Sequence, residues 1–172
     1  CRQHGVAWHE YPQFGVVRGL KNRNLWQPAW ERHMAEPVQQ VGALKFWHTT
    51  PPALTSTAWC APSHMQAPAH LQHNPPLRQR GGRPLALATL HSFLHARSLG
   101  YRGGISSPLS APNACSRLSA YLAWGCISMR EVVQQTRAHI AQLPPSASRH
   151  RAGLTAFISR LYWHCHFIQK LE

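Results

Sequence analysis

The stretch Ala114-Cys-Ser-Arg-Leu-Ser-Ala-Tyr-Leu-Ala-Trp-Gly-Cys-Ile-Ser-Met-Arg-Glu131 decides how the chain is read. Ser116 and Ser119 flank Arg117 where an apolar run, Leu118, Tyr121 and Leu122, begins. A helix opening there presents backbone N–H groups without partners, its positive dipole end, hydroxyls and a guanidinium. That is the donor set a phosphate takes. Gly125 reads as a helix stop. Ser128-Met-Arg-Glu131 forms a capping box, with Ile127 and Val132 at the hydrophobic-staple positions around it. The residues therefore predict two helices joined by a tight glycine turn. On physics alone two ordinary capped helices are the favoured reading, since serines at helix starts usually serve as caps, with the phosphate site as the alternative.

Working outward, Pro84 near a helix start and Gly100 beyond its end mark a helix at about 84–99. Leu87, Leu90, Phe93 and Leu94 give it an apolar face, with Arg97 on a basic edge. After the two central helices, Pro144-Pro145 breaks the chain and Ser146 is placed to cap the next element. A last helix at about 147–171 carries Leu154, Phe157, Ile158, Leu161, Cys165 and Ile168 on one stripe. Ala156, Trp163 and Phe167 fall on the opposite side, with Arg160 and His164 one turn apart beside them. A helix apolar on two faces is buried or lines a cavity. His164-Cys165-His166 is rejected as a metal site, because residues two apart on a helix point about 200° apart.

Toward the N-terminus, helical periodicity starts after Asn24, with Trp26, Trp30 and Met34 recurring every fourth residue until Glu36-Pro37. A tryptophan stripe at that spacing is a core signal. Residues 43–82 are punctuated by Pro51-Pro52, Pro62, Pro68 and Pro75-Pro76 and read as a linker, with Trp47, Trp59 and Met65 as its anchors.

The 172 residues suffice for one modest domain, and 44% hydrophobic content allows a packed core. Against 5 acidic residues, none of them Asp, stand 18 Lys plus Arg, for a net charge of +13. Arg outnumbers Lys by 15 to 3, which suits bidentate phosphate contacts. Such charge sets encounter and non-specific affinity for nucleic acid, not a specific function. The 5 cysteines share no metal spacing and argue against a disulfide framework, so a reducing, cytoplasmic setting is expected. No signal peptide or membrane span is visible. The chain starts with Cys and stops within an apolar helical pattern, so a fragment of a longer protein is expected.

The opening stretch resembles the flavin-phosphate segment of the DNA photolyase and cryptochrome family, roughly (T/C)-S-R-L-S-x-x-L-A-x-G-x-(L/I)-S-x-R-E. Cys115, Ser116, Arg117, Leu118, Ser119, Leu122, Ala123, Gly125, Ile127, Ser128, Arg130 and Glu131 fit without a gap. Tyr101 and Ile105-Ser-Ser-Pro-Leu109 look like the family's approach to that segment. The Trp stripe after Gln-x-Gly-Val-Val-Arg resembles the end of the family's N-terminal antenna domain.

The resemblance implies a mainly α chain: the tail of an α/β antenna domain at 1–42, an interdomain linker at 43–82, and the first half of a helical FAD-binding domain at 83–172. It implies FAD held by Tyr101, Cys115, Ser116, Arg117, Leu118, Ser119 and His164, damaged DNA met by Arg160 and Trp163, and a second antenna chromophore of unknown type. It implies light-driven splitting of pyrimidine photoproducts by a full-length monomer. No catalytic residue is assigned, and the fragment alone is expected to be inactive. Where many photolyases carry Glu and Arg around Trp163, this chain has Arg160 and His164, a departure that touches the lesion-contacting set. Two other readings stand beside repair: a cryptochrome-like photoreceptor, and a flavin-free basic nucleic-acid binder.

Overall fold

The computed structural model describes residues 2–9, 11, 14–39, 75 and 78–172. Among these the regular structure is helical and no strand occurs, as the mainly α reading requires. The chain divides into one unit of Cys1–Val38 with Gly81–Glu172, and a second of Gln39–Arg80. In the second, the Arg78 N–H donates to the Pro75 carbonyl at 3.0 Å. Trp47, Trp59 and Met65 lie outside the described residues.

Helix α1, Trp26–Ala35, follows a 3-10 turn at Arg23–Leu25. Its approach is capped by Asn22 rather than Asn24: the Asn22 side chain accepts from the Asn24 N–H at 2.9 Å. Trp26, Trp30 and Met34 are buried, as a core stripe should be. The helix ends where Glu36 turns extended ahead of Pro37. The carbonyls freed there are met from helix α6, Met129–Gln142. Arg130 Nε donates to the His33 carbonyl at 2.8 Å, and the Gln134 amide donates to the carbonyls of Met34 and Glu36 at 2.8 and 2.7 Å. Arg137 pairs with Glu31 at 2.7 Å and lies over the Trp30 ring. Exposed ion pairs of this kind contribute little stability; here they register α1 on α6.

Helix α2, Arg83–His95, has Pro84 in its first turn. It ends earlier than the expected 99 because Ala96 leaves helical geometry at φ −133° and ψ −62°. The chain then tightens through a 3-10 turn, Arg97–Gly100, and a kinked single turn, α3, Tyr101–Gly104. Short helices α4, Ala111–Ala114, and α5, Ser119–Ala123, precede α6. Gly125 stops α5 as expected. At φ 65° it lets its own N–H reach the Leu122 carbonyl at 3.3 Å and the Cys126 N–H reach the Tyr121 carbonyl at 2.8 Å. That pairing is a Schellman end. Ser128 caps α6 by accepting from the Glu131 N–H at 3.1 Å, with Ile127 and Val132 buried beside it. The Glu131 carboxylate does not complete the box. It takes a two-pronged contact from Arg83 at 2.8 and 2.9 Å.

Helix α7, Ser148–Leu171, starts after Ala147 without a side-chain cap, so Ser146 does not serve as one. Leu154, Phe157, Leu161 and Cys165 are buried, and the Phe157 ring meets Phe93 at 4.6 Å and Tyr101 at 5.8 Å. Each such side chain contributes about 1.5–3 kcal/mol by leaving water. Gly153 permits the crossing of α7 over the 3-10 turn, because a Cβ there would stand 2.2 Å from the Ser98 carbonyl oxygen. Among the described residues no helix is long and apolar enough to cross a membrane.

Candidate functional site

The segment between α4 and α5 is shaped by a residue that sequence reading left on a basic edge. Arg97 reaches across from the end of α2. Its guanidinium donates to the carbonyls of Cys115, Ser116 and Thr89, the last two at 3.2 and 2.9 Å, and to the Ser92 hydroxyl at 3.2 Å. The Phe93 ring lies beneath it, 5.5 Å away. Burial first, and then the nearby Arg117 guanidinium, hold Arg97 below its ordinary pKa. This clamp turns two successive carbonyls of the candidate segment inward. Cys115 is extended, and Arg117 takes the left-handed conformation at φ 57°. For a residue with a Cβ that geometry costs about 1–2 kcal/mol and occurs where surroundings over-determine it. Leu118 then drops into the core at 1% exposure.

Helix α5 begins without a side-chain cap, and its first backbone bond runs from the Leu122 N–H to the Leu118 carbonyl at 2.9 Å. The expected dipole at this start is weak, because α5 spans only 5 residues. The backbone N–H groups of its first turn and the adjoining Ser116 and Ser119 hydroxyls supply the donors instead. Ser116 and Arg117 are half-buried and Ser119 is exposed. The carbonyls of Cys115 and Ser116 face the Arg97 cation.

Tyr101 borders this segment. Its ring is buried, edge-on to Phe93 at 5.5 Å. Burial, then Cys115, raise its phenol above the ordinary value, while Arg160 on α7 pulls the other way. The phenol therefore lies within electrostatic reach of both. Tyr101, Cys115, Ser116, Arg117 and Arg160 thus share a neighbourhood, to which Arg97 is the missed member. Only its spacing of 18 residues from Cys115 separates it in sequence, and no local pattern signals the contact.

Two expected site residues stand apart. Trp163 is 42% exposed and makes ring contacts with His166 and Phe167 at 5.7 Å each. His164 sits on the exposed side of α7, its ring 5.1 Å from Phe14 and edge-on to it. Partial burial of that ring lowers its pKa. His166, in contrast, is buried against Trp26 at 5.1 Å, so the neighbouring imidazoles diverge as helix geometry dictates. The C-terminal part of the second apolar stripe of α7 is therefore exposed, Phe167 at 57%, while Ala156 packs against the core. The buried Cys165 thiol is pushed up to about 11, which leaves it a core residue rather than a nucleophile.

Family models, curated proteins and solved structures were all compared with the chain, and none matches.

Proposed function

We propose that this chain is part of a light-driven flavoprotein of the photolyase and cryptochrome type, with the pyrophosphate of FAD seated on Cys115–Ser119 beside Tyr101. The observation that carries the reading is the Arg97 clamp. It engages the carbonyls of Cys115 and Ser116, so these acceptors are taken up within a segment that also carries the Ser116 and Ser119 hydroxyls and the N–H groups at the start of α5. An anion finds donors there with little carbonyl repulsion. The donor chemistry fits a pyrophosphate.

Bound FAD would supply light absorption and electron donation. The protein's own residues bind and orient. Ser116 and Ser119 offer hydroxyl donors, Leu118 anchors the segment in the core, and Tyr101 walls it off from water. Arg160 adds a cation near Tyr101. Trp163 and Phe167 form an exposed aromatic face on the same helix, where an unstacked base would lie. With a net charge of +13, the surface also favours the DNA backbone. These features support repair of pyrimidine photoproducts as the activity.

The test is the protein purified from its complete reading frame. It is expected to carry a yellow chromophore and to restore irradiated DNA in light but not in darkness. A yellow protein without repair would assign it to the photoreceptor class. A colourless protein with salt-sensitive DNA affinity would replace the flavin reading with a basic nucleic-acid binder.

A further inference from the structure

Helices α2, α6 and α7 meet at a row of imidazoles. His91 and His95 stand one turn apart on α2 with their rings stacked at 3.9 Å. His139 of α6 stands edge-on to His95 at 4.4 Å and to His150 of α7 at 5.4 Å. Two hydrogen bonds set the rings. His95 Nδ1–H donates to the His91 carbonyl at 2.9 Å, and His150 Nε2–H donates to the Leu94 carbonyl at 2.6 Å. A carbonyl only accepts, so those nitrogens carry protons. His139 lies in the middle of the row. Its Nε2 is buried with no hydrogen-bond partner among the described residues.

We propose that this row is an acid-triggered latch: His139, uncharged, packs between the exposed His91 and His95 of α2 and the buried His150 of α7, and a proton arriving on it drives the helices apart. The groups facing His139 are His91 and His95 from α2 and His150 from α7. Nearby on α7, Arg151 donates to the carbonyls of Ile140 and Leu143 at 3.0 and 2.9 Å, and so adds positive charge at this end of α6. No carboxylate among the described residues offsets them. Glu131, the acid on α6, is engaged by Arg83, while Glu31, Glu36 and Glu172 pair with Arg137, Arg130 and Arg18. Burial holds His139 below the ordinary 6.5, and the neighbouring His95, His150 and His91 push it the same way. The sign follows. Below pH 6.5 the unfolded chain takes up a proton that folded His139 resists. Packing is therefore intact above that pH and weakens as pH falls below it. The rings stack and stand edge-on, and among the described residues no group of His, Cys, Asp or Glu is arranged to hold a metal ion.

The latch operates whether or not residues 115–119 bind flavin, so its test uses neither flavin nor DNA. Histidine ring protons of the full chain are followed by NMR from pH 8 to pH 5, together with amide exchange corrected for its intrinsic pH dependence. His139 is expected to titrate below 6.5. Protection in α2 should fall relative to α1 by up to about tenfold for each unit of that depression. His139→Gln, which keeps a polar side chain but no titration, should flatten the difference; His95→Gln replaces it if that variant does not fold. A wild-type His139 midpoint at or above 6.5 would overturn the latch. So would α2 protection that tracks α1 throughout, or a folded variant that keeps the full pH dependence.

Discussion

The starts of α5 and α6 lie within one stretch of sequence and are finished in opposite ways. At α6, Ser128 caps the Glu131 N–H, Ile127 and Val132 close the apolar staple, and Glu131 is locked by Arg83. That start is complete within the protein. At α5 no side chain caps the helix, Arg117 is held in a left-handed conformation, and Arg97 has taken the carbonyls that precede it. That start is ordered but has no side-chain cap among the described residues. Similar residues, serine followed by arginine, thus give a purely structural element in one case and a candidate site in the other. What distinguishes them is where the backbone groups go, not the residue types.

The largest effect should come from the clamp itself. Arg97→Met keeps some of the packing on Phe93 but strands the carbonyls of Cys115 and Ser116. Losing those partners should cost about 2–4 kcal/mol, read from urea unfolding, since each unsatisfied buried group costs about 1–3. A loss within ±0.5 kcal/mol would mean that the segment holds its shape without Arg97.

Next in size is the contrast between caps. Ser128→Ala should cost about 1 kcal/mol of stability. Ser119→Ala should stay within about 0.5, because Ser119 is exposed and caps nothing. Equal losses at the two serines would erase the distinction between the helix starts.

The smallest expected change has the opposite sign. Arg117→Gly should raise stability by about 0.5–1 kcal/mol, the relieved left-handed strain less the extra backbone entropy that glycine loses on folding, while weakening anion binding. A neutral or negative stability change would show that the arginine's own contacts outweigh the strain.

Much of this contrast was legible in the sequence, and the reasons are local. The Gly125 stop, the Ser128 cap and the inner stripe of α7 depend on residues within a few positions of one another. The Arg97 clamp and the capping of α1 by Arg130 and Gln134 join residues far apart in the chain, so no pattern announces them. The same holds for the histidine row, whose members sit on three helices. Asn24, Ser146 and the reciprocal half of the Glu131 capping box failed because a competing partner or a shifted helix start took their place. Trp163 and His164, expected at a pocket, both lie on the exposed side of α7.

If the start of α5 takes an anion, backbone amide shifts of the full chain titrated with pyrophosphate will register it there. Shifts are expected to concentrate at Ser116–Tyr121, to be absent at the Ser128 start of α6, and to be abolished in Ser116→Glu, which places a carboxylate among the donors. Shifts spread over the basic surface, or an unchanged response in Ser116→Glu, would contradict it.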